Sequence, residues 1–219
     1  MTEKEIREIV SGVLERLNAA EAPKNEIPLE VSARHVHLTK SAVETLFGQG
    51  ALLSVVRELS QPGQFLSDRR VKLVTPKGAI ENVAVLGPER GEVQAELSVT
   101  DCRVLGLNAP VRLSGDLRGG ADAYIIGERG MLDAKGSVIV AKAHIHLRPG
   151  DAGEHGVTDG QSVRVRVESV RPLTFEDVTV RVSEEFMPAM HIDFDEANAC
   201  CADGVSIARI EKIDGGTKV

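Results

Sequence analysis

Two stretches, Arg34-His35-Val36-His37-Leu38 and Ala143-His144-Ile145-His146-Leu147, echo each other along the chain. Each is a His-x-His set in an apolar frame. Successive side chains of a β-strand point to opposite faces, so both histidines of a pair emerge together while the aliphatic residue between them faces the other way. Two imidazoles about 7 Å apart at Cα, on a stiff backbone, can converge on one metal ion. A single His-x-His is ordinarily two half-exposed strand histidines; two copies in matching frames read as a metal site. A fifth histidine, His191, lies in another strand-like run, Met190-His191-Ile192-Asp193-Phe194.

The chain of 219 residues is long enough for one large domain or two small ones, with core enough to need no disulfides. Its three cysteines, Cys102, Cys200 and Cys201, are odd in number and two are adjacent, which fits a reducing cytosol rather than a disulfide framework. We read Cys200 and Cys201 as core or helix residues rather than ligands. With no Trp, one Tyr and a net charge of −7, the chain is a poor candidate for nucleic-acid or anionic-membrane binding, and an anionic substrate would need a local basic pocket. No apolar run approaches a membrane span and the N-terminus is too charged for a secretory signal, so a soluble, intracellular protein is expected.

Residues 2–18 carry apolar positions at helical spacing (Ile6, Ile9, Val10, Val13, Leu14, Leu17) opposite a charged face, after a capping-box spacing from Thr2 to Glu5. Residues 1–20 are therefore an expected amphipathic helix and 21–26 a linker broken by Pro23. Such a helix either folds back on its own domain or docks its apolar face on a partner protein.

From Ile27 the pattern is mainly β. Thr39 to Phe47 reads as a short helix ended by Gly48. Val71–Val74 and Ile80–Leu86 read as strands around the turn Pro76-Lys77-Gly78. On Gln94-Ala95-Glu96-Leu97-Ser98, alternation puts Gln94, Glu96 and Ser98 on one face, where Glu96 either completes a site begun by His35 and His37 or is solvated. The glycine-dense 114–142 reads as a flexible connection or a close ligand approach, without a nucleotide fingerprint. After the second His-x-His come a helical turn over Pro149–His155, an alternating strand at Val163, Val165 and Val167, and a final helix with Asp195 as N-cap. The expected architecture is two related small β-barrels, 27–113 and 143–219, each giving its His pair to a shared cleft, with strand exchange between barrels left open.

The run Val31-Ser32-Ala33-Arg34-His35-Val36-His37-Leu38 resembles the opening of the PduL-type phosphotransacylases, the phosphate propanoyltransferases of bacterial microcompartments. The resemblance continues in order through Leu59–Phe65, Val85–Arg90, Glu96–Asp101, Pro110–Asp116, Ala143–Leu147 and Met190–Ala199. It implies two β-barrel domains and a dinuclear zinc site. One zinc would be held by His35, His37 and Glu96, with coenzyme A sulfur at its open position; the other by His144, His146 and His191. Arg90 matches the family's phosphate-binding arginine, and substrate contacts are assigned to Arg34, Arg90, Gln61, Gln64 and Gln94. The implied reaction interconverts acyl-CoA plus phosphate with acyl phosphate plus free CoA, by direct attack of phosphate. The family's N-terminal helix and linker imply an encapsulation peptide that binds microcompartment shell or core proteins. A lumenal location inside a cytoplasmic microcompartment and a homodimer or larger assembly are implied too. The chain departs from the family at Ala33, at Ala143, which shifts phosphate or CoA binding towards Arg34 and Arg90, and at Gly119-Gly120-Ala121-Asp122, where the family's acyl-chain and CoA contacts do not carry over.

Two other readings belong to the same residues. A dinuclear zinc hydrolase also uses His-x-His, but Thr39-Lys40-Ser41 and Arg148-Pro149-Gly150 follow the pairs here, where such sites commonly add acidic and histidine ligands. A microcompartment scaffold with structural zinc would have coordinatively closed sites and would unfold on metal removal.

Overall fold

The computed structural model describes residues 26–204 and 206–211. The expected helix over 1–20 and most of the 21–26 linker lie outside the described residues.

Strands dominate, as the patterning predicts. In the N-terminal half the order is β1 (Glu26–Ser32), β2 (His35–His37), α1 (Lys40–Phe47), β3 (Val55–Glu58), β4 (Phe65–Val74), β5 (Ala79–Gly87), β6 (Gln94–Leu97), α2 (Val99–Leu105), β7 (Val111–Arg112), β8 (Ala121–Ile126) and β9 (Met131–Ala141). The rest is β10 (His144–Leu147), α3 (Pro149–His155), β11 (Ser162–Glu168), β12 (Leu173–Val182), β13 (Ala189–Asp193), α4 (Phe194–Cys200) and β14 (Ile207–Glu211).

One barrel closes in the order β1-β13-β10-β12-β11-β14. The pairings of the other sheet also run in a ring, β4-β5-β2-β6-β9-β8 and back to β4, with β3 and β7 as outer strands. The two rings have the same pattern. Each His-x-His strand has a parallel neighbour on one side (β5 or β12) and an antiparallel one on the other (β6 or β13). That antiparallel neighbour is followed by a parallel strand, β9 in one ring and β1 in the other.

The strand that leads into each His-x-His thus belongs to the opposite barrel. The chain crosses between barrels at 32–35 and again at 141–144. Both His pairs stand just past a crossing, which is why they meet. The residue between the histidines of each pair points inward and fills its barrel: Val36 is fully buried beside Val83 and Val85, and Ile145 beside Val180 and Met190.

The short helices close the barrel cores, and their ends follow from the sequence. Thr39 caps α1 by accepting from the Ala42 N–H at 3.1 Å, and Gly48 ends it. Ser98 and Asp101 form a capping box at α2, a helix that the strand-like pattern of 94–98 does not announce. The N-cap of α4 is Asp193 rather than Asp195: Asp193 accepts from the Glu196 N–H and Glu196 accepts from the Asp193 N–H, both at 2.8 Å. Asp195 is left free to accept from the Thr100 N–H at 2.7 Å, tying α4 to α2.

Residues 114–142 are not a mere connection. They carry β8 and β9, which close the N-terminal barrel. Glycine there serves close strand approach: a Cβ on Gly120 would strike the Gly136 carbonyl, and Gly136 sits at φ 61° beside the register shift between Ala121 and Ala123. Likewise residues 27–32, expected in the first barrel, belong to β1 of the second, paired with β13 and β14. Alternation tells which face a strand buries, not which neighbour it pairs with, so neither placement was readable locally.

Candidate metal and substrate site

Cross-strand register builds the site. His35 stands opposite Glu96 and His37 opposite Gln94, so β2 and β6 aim His35, His37 and Glu96 out of the N-terminal barrel together. In the second barrel His144 stands opposite His191 and, on its other side, Thr179, while His146 lies beside Arg181. All six candidate ligands line one cleft of about 750 Å³ between the barrels, with Arg90, Ser114, Arg181 and Phe186.

The ligand atoms of His35, His37 and Glu96 lie within 4.8 Å of one another, as do those of His144, His146 and His191. Glu96 Oε1 is 3.6 Å from His35 Nε2 and 3.7 Å from His37 Nε2. Tetrahedral zinc with bonds of about 2.1 Å would hold its ligands about 3.4 Å apart, so little movement is required. His35 Nδ1 donates to the Ala33 carbonyl at 2.7 Å and His144 Nδ1 to the Lys142 carbonyl at 2.9 Å, which in the neutral imidazole leaves the lone pair on each Nε2. His37 Nδ1, both ring nitrogens of His146 and His191 Nε2 are buried without a hydrogen-bond partner. Buried polar atoms are ordinarily satisfied, so these orphans fit a cation that the residues are placed to hold.

Charge state agrees. Burial, then the neighbouring cationic groups, pull His37 and His146 down to about 2 and His191 to about 3. Burial also lowers His144. These imidazoles are neutral at ordinary pH and hold a lone pair for a metal. His35 differs: burial works against its charge, but the Glu96 carboxylate outweighs it and raises the value. Glu96 is itself held far below the usual carboxylate range, because His35, His37 and the Ser114 hydroxyl overcome its burial.

Of the residues expected to touch substrate, Arg90, Gln61 and Gln64 line the cleft. Arg90 donates to Ser114 Oγ at 3.2 Å, and Ser114 donates to Glu96 at 2.7 Å, so the guanidinium and the carboxylate share one hydroxyl. Gln94 lies behind Glu96 and donates to it, with its own carbonyl fixed by the Gly115 N–H at 2.9 Å. It positions the carboxylate rather than facing the cleft. Gln61 lines the cleft but spends its amide on the Met187 backbone, donating to the carbonyl at 2.9 Å and accepting from the N–H at 3.2 Å. That bridges the barrels. Arg34, expected among the substrate contacts, does not line the cleft: it sits in the bend before β2 and pairs instead with buried Asp101 at 3.2 Å. Cys200 is buried in α4 and Cys201 is its exposed C-cap, neither lining the cleft.

Sequence reasoning missed Phe186 and Arg181. Phe186 stacks on His146 with centroids 3.9 Å apart, and the Arg181 guanidinium lies over the Phe186 ring at 5.7 Å. Only the β10–β12 register reveals Arg181 as the neighbour of His146. Ser114 lay within a stretch matched to the family, but nothing local marked its hydroxyl.

Fold and site together define a two-barrel protein that brings two groups of residues able to hold a metal, and four arginines (Arg57, Arg70, Arg90 and Arg181), to one shared cleft. The family model for phosphate propanoyltransferase matches residues 28–203, and the chain belongs to that family, which makes it an acyltransferase. It is 49% identical over 199 residues to the phosphate propanoyltransferase of Alkaliphilus metalliredigens, covering 91% of this chain and 94% of the relative. It is 54% identical over 170 residues to that of Thermotoga maritima, covering 77% and 81%. With that of Clostridioides difficile the identity is 46% over 209 residues, covering 94% and 97%.

Proposed function

We propose that this chain interconverts a short acyl-CoA, propanoyl-CoA or acetyl-CoA, plus phosphate with acyl phosphate plus free CoA in the inter-barrel cleft. The observation that carries the reading is the pair of candidate ligand sets, with buried imidazole nitrogens that lack hydrogen-bond partners, in one cleft with Arg90. Zinc held by His35, His37 and Glu96, and by His144, His146 and His191, would supply positive charge for phosphate oxygens and a soft acceptor for the thiolate sulfur.

Arg90 binds and orients phosphate, its guanidinium steadied by Ser114, and Arg181 adds a second positive charge across the cleft. A phosphate oxygen adds to the thioester carbonyl carbon; the C–S bond then breaks and the electron pair leaves on sulfur as CoA thiolate. This reading requires no acyl-enzyme, because a phosphate oxygen attacks the thioester carbonyl directly. Burial pushes the Cys102 thiol up to about 11 and raises Cys200. Gln64 completes the cleft wall, and Gln61 and Gln94 act by holding the barrels and Glu96 in place.

The charged amphipathic pattern of residues 1–20 supports a further assignment as an encapsulation peptide, with the chain in a microcompartment lumen and assembled as a homodimer or larger. Deleting residues 1–20 should leave turnover intact and abolish co-localisation with shells; continued recruitment would refute the assignment.

The test of the reaction is thiol release from propanoyl-CoA and acetyl-CoA, with and without phosphate, before and after chelation. Phosphate-dependent release that chelation removes and zinc restores is the expected result. Release independent of phosphate would make the protein a hydrolase, and a folded, zinc-loaded protein without release would leave a scaffold.

A further inference from the structure

The two ligand sets look alike in register but differ in charge. In the N-terminal barrel the row of outward-facing residues runs Ile139, Glu96, His35: the carboxylate is a candidate ligand, backed by an aliphatic side chain. In the second barrel the equivalent row runs Glu30, His191, His144. The carboxylate has moved one strand outward, from the ligand position to the position behind it.

Glu30 Oε2 lies 3.6 Å from His191 Nδ1. The opposite ring nitrogen, Nε2, is one of the buried orphans directed into the cleft. His35 and His144 have their Nδ1 fixed by a backbone carbonyl two residues back; for His191 the group at Nδ1 is this carboxylate. Glu30 is in turn held from the other barrel, where the Ser60 hydroxyl donates to the same Oε2 at 2.6 Å. Ser60 adjoins Gln61, whose amide clamps the Met187 backbone, so the 59–64 loop grips the second barrel at two neighbouring points.

We propose that Glu30 is a positioning residue for the second ligand set. Its carboxylate fixes the His191 ring with Nε2 towards the cleft and supplies the negative charge that the all-histidine set lacks, and Ser60 holds that carboxylate in place from the opposite barrel. A carboxylate behind a ligating imidazole raises the ligand's basicity and sets its orientation. The inference rests on the metal reading given above.

The experiment titrates zinc, and separately cobalt(II), into the metal-free full chain and follows the cobalt visible band. Wild type should bind two equivalents, and His37→Ala identifies which belongs to the first set. Glu30→Ala should weaken the other equivalent about 10–100-fold and shift its cobalt band, leaving the first unchanged. Glu30→Gln, which keeps an acceptor for Ser60 but no charge, should fall between, and Ser60→Ala should weaken the same equivalent by a smaller factor. Glu30→Ala with both equivalents at wild-type affinity and an unchanged band would overturn the proposal while leaving the metal reading intact. So would a Glu30→Ala protein in which the weakened equivalent is the one lost in His37→Ala. Wild type binding fewer than two equivalents would overturn the metal reading and this proposal with it.

Discussion

Replacing Glu96 with Gln isolates one half of the centre. Glu96 Oε1 sits 3.6 and 3.7 Å from two imidazole nitrogens and accepts from Ser114 and Gln94, so an amide of the same size keeps the packing and loses the charge. Removing groups merely behind a metal ligand weakens affinity about 10–100-fold, and loss of the one anionic ligand in the set should reach at least the upper end of that range. The second set shares no ligand with the first, so metal content at limiting zinc should fall from two equivalents to one. Zinc at about 100 times its dissociation constant stabilises a folded protein by about 2.7 kcal/mol. For a chain of this size that is a Tm difference of about 5–11 °C, which zinc should confer on wild type through the first set and not on Glu96→Gln. Metal analysis after gel filtration and thermal melts with and without zinc provide both readouts. A Glu96→Gln protein that is folded and still holds two tight equivalents would refute the reasoning, as would one that holds none.

Arg34→Ala should leave the phosphate KM unchanged but reduce stability by about 1–2 kcal/mol, since it strands the buried Asp101; Arg90→Ala should raise the phosphate KM at least tenfold with little change in Tm, as steady-state kinetics and melts would show. Phe186→Ala removes the stack on His146 and should destabilise by about 1 kcal/mol, read as a Tm lower by about 2–4 °C. Burial, followed by the Asp193 and Asp195 charges, pushes Glu196 up to about 7 from an ordinary 4.5. Because the folded value is the higher one, its contribution is fully present below about pH 4.5 and is lost as pH rises through about 7. Glu196→Gln should remove that slope, no more than about 3 kcal/mol before allowance for partial exposure, in urea unfolding followed across this range.

The sequence by itself determined the local chemistry. The twin His-x-His frames, the alternation at Val163, Val165 and Val167, and the Gly48 helix end each depend on contacts within a few residues, and each was legible. The two-residue period puts His35 with His37 on one face and Gln94 with Glu96 on another; that the two faces adjoin is decided by the β2–β6 register. The cap of the last helix was not legible, because Asp193 and Asp195 both carry cap-forming side chains; the reciprocal bonds with Glu196 chose Asp193. Only the tertiary structure decided that β1 closes the far barrel, that the glycine-rich 114–142 carries two strands, and that Arg34 turns from the cleft while Arg181 and Phe186 enter it. The physical reason is that side-chain periodicity fixes the face of a strand and leaves its neighbours open, and pairing partners are settled by closure of each barrel around its own core. The two crossings of the chain, at 32–35 and 141–144, follow from that closure, and they bring the two histidine pairs to one cleft.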